Sequence, residues 1–121
     1  MEIKTVAVIG AGTMGAGIAK ACALAGFTTL LYDVTAAQAA AGYARVRAAL
    51  EKGMALGKTP PEKATAALAR LFPSGDLAAV AAADLAIEAA PEDLDLKRDL
   101  FRRLDDRLPD RALLASNTSA L

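Results

Sequence analysis

The sequence predicts an α/β fold in which a doubly wound parallel sheet carries an inserted helical hairpin. Apolar, β-forming segments alternate with helical segments along all 121 residues, without an internal repeat or a low-complexity linker. A glycine-rich turn also joins the first apolar segment directly to a helical pattern of small residues. Right-handed crossovers between such segments give a parallel sheet covered by helices. We therefore expect one domain over residues 1–121.

The first predicted unit is a strand, a helix and a second strand. Residues 3–9 run apolar, as a buried parallel strand does. Residues 14–25 have apolar and small side chains at helical spacing, and Gly26 is expected to end this helix as its C-cap. Residues 28–32 are rich in β-formers and predict the second strand.

A helical hairpin is predicted between the second and third strands. Residues 35–56 form its long helix, with charged residues such as Arg45 and Arg47 on a solvated face. A second helix is expected at about residues 61–71, with Thr59 as its N-cap and Pro60 as its first helical residue. The hairpin either packs as a flap or forms one wall for a long ligand.

Shorter elements complete the prediction. Three strands are expected at residues 71–72, 84–90 and 112–115. A turn at residues 74–76 leads into a short helix that ends near Ala83. A longer helix with an acidic first turn is expected at residues 91–108.

Composition excludes several function classes. Fourteen Lys and Arg residues balance fourteen Asp and Glu residues, so no charge excess favours nucleic acid or an anionic membrane as a partner. No apolar run is long enough to cross a membrane. Cys22 is the only cysteine; it is expected to be a buried structural thiol, and it fits a reducing, cytoplasmic location. Histidine is absent, so these residues cannot build a Ser-His-Asp triad or a Cys/His zinc site, and no metal is predicted.

The turn Gly10-Ala-Gly-Thr-Met-Gly15 predicts a Rossmann-type dinucleotide site. Gly10 permits a tight turn, Gly12 lets a pyrophosphate approach the backbone, and Gly15 lets the helix pack against the strand. The helix N-terminus offers N–H groups and a partial positive charge to phosphate. The residues predicted to bind the cofactor here are Gly10, Ala11, Gly12, Thr13, Met14 and Gly15.

Asp33 follows the second strand, about twenty positions after the glycines, where an acidic residue accepts hydrogen bonds from the adenosine ribose. Its charge would repel a 2′-phosphate, so the sequence favours NAD over NADP. Alternatively, Asp33 only caps the following helix, because Asp is a good N-cap. Ligands of doubly wound sheets bind outside the carboxyl ends of the strands. Four such segments should therefore meet in one crevice: residues 10–15, 33, 90–92 and 116–119. Glu88 lies beside them, but a carboxylate at a strand end could equally serve the structure.

Several segments together match one known family. They are residues 7–19, Leu31-Tyr-Asp33, Ile87-Glu-Ala-Ala-Pro-Glu92, Leu96-Lys97, Leu100-Phe101 and Ala115-Ser-Asn-Thr-Ser119. This set resembles the NAD-binding domain of the 3-hydroxyacyl-CoA dehydrogenases, which include the 3-hydroxybutyryl-CoA dehydrogenases. The resemblance covers essentially the whole chain and includes the hairpin. It implies hydride transfer between C3 of a (3S)-3-hydroxyacyl-CoA and NAD, in fatty acid metabolism.

The resemblance also implies roles for three residues near the C-terminal end. Glu92 and Lys97 fall where the family contacts the nicotinamide side of NAD. Ser119 falls at the family's active-site serine, which hydrogen-bonds the substrate 3-oxygen near the nicotinamide. By position alone, Glu92 could favour a helix N-terminus, Lys97 could be a solvated charge and Ser119 could cap a turn.

The chain departs from the family in two respects. The serine and lysine that contact CoA in the family fall at about Ala49 and Leu56 here, and Lys52 or Lys58 would have to substitute. The family's general base, a histidine paired with a glutamate, lies beyond the serine segment, as does a helical C-terminal domain that forms a homodimer. These residues are therefore expected to bind NAD without efficient turnover.

Two expectations concern the chain around these residues. We expect a histidine within roughly 20–30 residues beyond Leu121. We also expect a protein that starts with this domain rather than one with an enoyl-CoA hydratase in front. Other functions stay open: another dehydrogenase with the same glycine turn, such as the 3-hydroxyisobutyrate or 6-phosphogluconate class, or a non-catalytic nucleotide-binding module. The hairpin and the Ser116-Asn-Thr-Ser119 segment argue against the other dehydrogenases.

Overall fold

The computed structural model describes residues 3–89 and 113–116. The strands in these ranges are β1 Thr5–Ile9, β2 Thr28–Tyr32, β3 Leu71–Ser74, β4 Leu85–Glu88 and β5 Leu113–Ser116. They form one sheet in the order β3-β2-β1-β4-β5, and every neighbouring pair is parallel. This order, which reverses direction between β1 and β4, is that of doubly wound dinucleotide-binding sheets. The predicted fold class is confirmed.

The described helices occupy the positions that the sequence predicts. They are α1 Thr13–Leu24, α2 Ala36–Ala55, α3 Pro61–Ala69 and a 3₁₀ helix at Leu77–Ala82. The pair α2 and α3 forms the predicted hairpin between β2 and β3, and both helices contact α1. The helix predicted at residues 91–108 lies outside the described residues.

The sheet is buried on both faces. Val6 and Val8 of β1 belong to a core shared with α1, α2 and α3. Ala7 and Ile9 point to the other face, where they join a second core that includes Val80 of the 3₁₀ helix. A strand covered on both faces has no polar side, which explains the nearly continuous apolar run of β1.

A glycine directly follows the C-cap of α1 and of α2. The sequence predicts Gly26 at the end of α1, although the C-cap itself is Ala25. Gly26 and Gly57 have φ angles of 104° and 71°, a left-handed conformation that a residue without Cβ adopts at little cost. At the end of α1, the Phe27 N–H donates to the Cys22 carbonyl at 3.1 Å, and the Gly26 N–H donates to the Ala23 carbonyl at 3.2 Å. This bond pair satisfies the last carbonyls of the helix, and an equivalent pair ends α2.

α3 begins at residue 61, as expected, but the residues predicted for its N-cap and first helical position are wrong by one. Pro60 is the N-cap and Pro61 is the first helical residue, whereas Thr59 makes no cap bond. A residue that precedes a proline is disfavoured in the helical region, and Pro60 precedes Pro61 with a ψ angle of 138°. The Thr59 N–H donates instead to the Gly53 carbonyl at 3.1 Å, so Thr59 belongs to the turn that ends α2.

Pairing between strands decides the strand ends. β1 begins at Thr5 rather than at residue 3, because its register with β2 runs from Thr5 opposite Thr28 to Ile9 opposite Tyr32. β3 extends past its predicted two residues to Ser74 and includes Pro73. Proline is tolerated there because β3 lies at the edge of the sheet, where its missing N–H removes no ladder hydrogen bond.

Candidate dinucleotide-binding site

The carboxyl ends of three adjacent strands form the floor of the candidate site. β2 and β4 flank β1, so Asp33 and Ala89 lie on either side of the turn that begins at Gly10. The Gly10 N–H donates to the Tyr32 carbonyl, and the Ala89 N–H donates to the Ile9 carbonyl, both at 2.8 Å. The glycine-rich turn therefore leaves the sheet at its switch point, where ligands of this architecture bind.

Different physical constraints act at the three glycines of the turn, Gly10, Gly12 and Gly15. Gly10 has a φ angle of 110° and makes the turn. A Cβ on Gly15 would lie 1.6 Å from the Gly10 carbonyl oxygen, so no side chain fits between α1 and the turn. Gly12 has an ordinary φ of −72°, and a Cβ there would meet no described atom within 4 Å. The described residues do not require a glycine at this position, and its bare backbone fits a ligand that approaches closely.

The N-terminus of α1 adds hydrogen-bond donors to the same place. Gly12 is the N-cap, and among the residues that the structure describes no side chain caps this end. The first N–H groups of a helix have no acceptor within the helix and carry a partial positive charge. Thr13 and Met14 are exposed in this first turn. The arrangement fits the phosphates of a dinucleotide.

The Asp33 side chain is hydrogen-bonded to the glycine-rich turn. Its Oδ2 accepts the Ala11 N–H at 2.9 Å, and its Oδ1 accepts the Val34 N–H at 2.7 Å. Thr35 is the N-cap of α2, and its hydroxyl accepts the Gln38 N–H at 3.1 Å. The alternative in which Asp33 only caps this helix is therefore wrong. Each carboxylate oxygen has two lone pairs, so half-buried Asp33 keeps capacity for ribose hydroxyls.

Sequence reasoning missed one residue of this site. Arg45 was predicted only as part of a solvated face, but its Nη1 donates to the Ala11 carbonyl at 3.0 Å. Gly42, three residues earlier in α2, marks the contact, because a Cβ there would lie 2.5 Å from the Ala11 Cβ. A glycine inside a helix costs stability unless close approach requires it. That glycine was the available signal for a tight contact between α2 and another segment.

Several predicted residues fall elsewhere. Glu92, Lys97 and Ser119 lie outside the described residues. Glu88 ends β4 with 0% exposure, opposite Ile9 of β1 and Ser116 of β5 in the register. This burial fits the structural role that the sequence leaves open for Glu88.

The hairpin packs against the rest of the fold. α2 contacts α1, β2 and β3, as a packing flap would. Ala49 and Leu56, the positions at which the resemblance puts the CoA contacts of the family, are both exposed, and so are Lys52 and Lys58. Both lysines are thus accessible to a long anionic ligand.

The described part of the chain offers little support for a cysteine nucleophile, a metal site or a membrane span. Cys22 is half-buried, and this burial raises the pKa of its thiol. A raised pKa leaves less thiolate at neutral pH, so Cys22 is a poor nucleophile, as expected for a structural thiol. Among the described residues, no cluster of acidic, cysteine or histidine side chains could hold a metal ion. None of the described helices is both long enough and apolar enough to span a membrane.

Comparison with known proteins gives three consistent matches. The family model described as "3-hydroxyacyl-CoA dehydrogenase, NAD binding domain" matches residues 5–121. A 3-hydroxyadipyl-CoA dehydrogenase of Escherichia coli (strain K12) is 44% identical over 100% of this chain and 26% of its own length. A probable 3-hydroxybutyryl-CoA dehydrogenase of Bacillus subtilis (strain 168) is 40% identical over 100% of this chain and 42% of its own length.

A solved structure agrees with these matches. The crystal structure of a 3-hydroxybutyryl-CoA dehydrogenase from Escherichia coli K12 superimposes with a TM-score of 0.94 at 44% identity. The match covers 100% of this chain and 26% of that chain. The chain therefore spans less than half the length of these relatives.

Proposed function

The chain belongs to the 3-hydroxyacyl-CoA dehydrogenase family, as its NAD-binding domain, and from this premise we propose that the whole protein reversibly oxidises a (3S)-3-hydroxyacyl-CoA to the 3-oxoacyl-CoA. The observation that carries the proposal is the bond between Asp33 and the Ala11 N–H at 2.9 Å. Through it, the carboxylate suited to the adenosine ribose is fixed to the turn suited to the pyrophosphate.

The residues of this chain divide the binding task by position. Residues 10–15 would hold the pyrophosphate, with the N-terminus of α1 supplying N–H donors and positive potential. Asp33 would accept hydrogen bonds from the adenosine ribose. Glu92 and Lys97 would contact the nicotinamide side, and Ser119 would donate its hydroxyl hydrogen to the substrate 3-oxygen. When bound, NAD supplies the hydride acceptor.

The chain's share of the reaction is orientation and electrostatics. Fixed donors at residues 10–15 would hold the dinucleotide in one pose, and Ser119 would polarise the C3–oxygen bond of the substrate. Proton removal needs a general base near neutral pH. These 121 residues contain no histidine, so the proposal places that base in another part of the protein.

The same proposal covers substrate, assembly and location. The substrate would be an acyl-CoA, which the printed names of the relatives support, and Lys52 and Lys58 would attract its phosphates. A homodimer would form through a domain outside these residues. The single cysteine, Cys22, which cannot form an internal disulfide, supports a cytoplasmic location.

Cofactor selection by Asp33 tests the proposal. We expect isothermal titration calorimetry to give NADPH an affinity at least about tenfold below that of NADH, because a 2′-phosphate would face the carboxylate. Asp33→Asn keeps an acceptor for the Ala11 N–H but removes the negative charge, so it should bring the affinities for NADH and NADPH closer together. Asp76→Asn is the matched control, because Asp76 is an exposed cap of the 3₁₀ helix. Equal affinities for NADH and NADPH in the unmodified protein would exclude the role assigned to Asp33.

A further inference from the structure

Two side chains from different elements hold the Ala11 residue in the glycine-rich turn. Its N–H donates to Asp33 Oδ2 at 2.9 Å, and its carbonyl accepts from Arg45 Nη1 at 3.0 Å. Arg45 lies in the middle of α2, 34 residues further along the chain. Ala11 itself is only 1% exposed. The turn is thus fixed from the strand side by Asp33 and from the hairpin side by Arg45.

The bond to Arg45 controls the direction of the next N–H. The Ala11 carbonyl and the Gly12 N–H belong to one planar peptide, and in a trans peptide these two groups point in opposite directions. No peptide bond in the described residues is cis. Holding the Ala11 oxygen towards α2 therefore turns the Gly12 N–H away from α2. Among the described residues, the Gly12 N–H has no hydrogen-bond acceptor.

The backbone contact and the guanidinium contact are separable. Gly42 brings α2 against the turn, where a Cβ would lie 2.8 Å from the Ala11 oxygen and 3.0 Å from Leu31 Cδ2. Gly42 is buried, whereas Arg45 is exposed apart from the bond that it makes. Removing the guanidinium therefore leaves the packing of α2 in place and removes one charge-assisted hydrogen bond.

We propose that Arg45 is a positioning residue of the dinucleotide site, which holds the Ala11–Gly12 peptide so that the Gly12 N–H is presented to the pyrophosphate. This inference rests on the proposed function, because it names a residue that orients the same phosphate-binding turn. Arg45 acts through the backbone and through its positive charge near the phosphates. Asp33 selects the cofactor, whereas Arg45 would strengthen the binding of NADH and NADPH alike.

Calorimetry with matched variants tests the proposal. Arg45→Met should weaken NADH binding by roughly ten- to a hundredfold, the usual effect of one hydrogen bond to a charged group. NADPH should lose affinity by the same factor, and Arg45→Lys should recover part of the loss because Lys keeps one donor and the charge. Arg47→Met is the control, because Arg47 carries the same charge on the same helix and, within the described part of the chain, bonds to exposed Glu51 alone, at 3.1 Å.

A second measurement works without any ligand. In ¹⁵N relaxation of the ligand-free protein, Arg45→Met should lower the order parameter of the Gly12 amide, whereas Arg47→Met should leave it unchanged. The inference about Arg45 would be overturned if the unmodified protein binds NADH and the Arg45→Met variant shows the same NADH affinity and the same Gly12 order parameter. The proposed function would survive that result. Equal losses in Arg45→Met and Arg47→Met would also overturn the inference about Arg45, because a general charge effect would then suffice. Absence of NADH binding in the unmodified protein would instead overturn the proposed function, and the Gly12 order parameter would still decide what Arg45 does.

Discussion

At the scale of single residues, glycines of one sequence motif carry unlike constraints. Gly15 is required by the fold, because a Cβ would overlap the Gly10 carbonyl oxygen. A Cβ on Gly12 or Gly17 would meet no described atom within 4 Å. Gly17 also lies inside α1, where glycine is less favourable than alanine. Gly15 is therefore required by the fold and Gly12 is expected to be required by the ligand. Nothing in the described structure requires Gly17.

Alanine substitutions separate these constraints. Gly15→Ala should destabilise the protein by more than about 3 kcal/mol, because the overlap forces α1 away from the turn. Gly12→Ala should change the free energy of unfolding by less than about 0.5 kcal/mol but weaken NADH binding at least about tenfold. Gly17→Ala should stabilise by about 0.5–1 kcal/mol and serves as the control. Urea denaturation and calorimetry measure both quantities, and normal NADH binding by Gly12→Ala would contradict the assignment.

At the scale of elements, the central strand is tied at both ends to its neighbours. At its start, Asp84 Oδ2 accepts the Lys4 N–H at 2.9 Å and the Thr5 N–H at 3.0 Å, just before β4 begins. The Asp84 N–H returns a bond to the Thr5 carbonyl at 2.8 Å. At the end of β1, Ala89 donates to Ile9 as β4 ends. β1 and β4 thus leave the sheet in a fixed register, which sets where the glycine-rich turn begins.

Removing the buried carboxylate should weaken this register. Asp84 is only 5% exposed. Asp84→Ala would leave the Lys4 and Thr5 N–H groups without this acceptor, so the free energy of unfolding should fall by about 2–4 kcal/mol. Asp76→Ala is the comparison, because it removes an exposed cap and should cost about 1 kcal/mol. Chemical denaturation of the two variants measures the difference. Losses of the same size in both would show that Asp84 does not anchor β1.

At the scale of the whole molecule, sheet order gathers segments that are distant in sequence. The order β3-β2-β1-β4-β5 puts the ends of β2, β1, β4 and β5 side by side. Among the predicted crevice segments, residues 10–15 follow β1, residue 33 follows β2 and residues 90–92 follow β4, whereas residues 116–119 begin with the last residue of β5. Ligands of such sheets bind at the switch point outside the carboxyl ends of the strands, which is why the sequence predicts that these segments share one crevice.

The activity of the whole protein tests the role proposed for Ser119. With 3-hydroxybutyryl-CoA and NAD, Ser119→Ala should lower kcat on the order of 10²-fold, as loss of one donor to a reacting oxygen does. The dissociation constant of NADH should change much less, because the proposed hydroxyl contact is to substrate. Ser74→Ala is the control, since Ser74 ends the edge strand β3. Steady-state kinetics measure the effect, and unchanged kinetics in Ser119→Ala would remove Ser119 from the site.

The sequence by itself determined the features that rest on local geometry. The apolar run of β1, the turn at Gly10, the helix ends at Gly26 and Gly57, and the position of Asp33 follow from backbone conformations and short spacings. Only the tertiary structure decided that Asp33 bonds to Ala11 instead of capping α2, and that Arg45 reaches the same residue across 34 positions. The reason is that hydrogen bonds between packed elements depend on where Gly42 lets α2 lie, and no local periodicity encodes that distance.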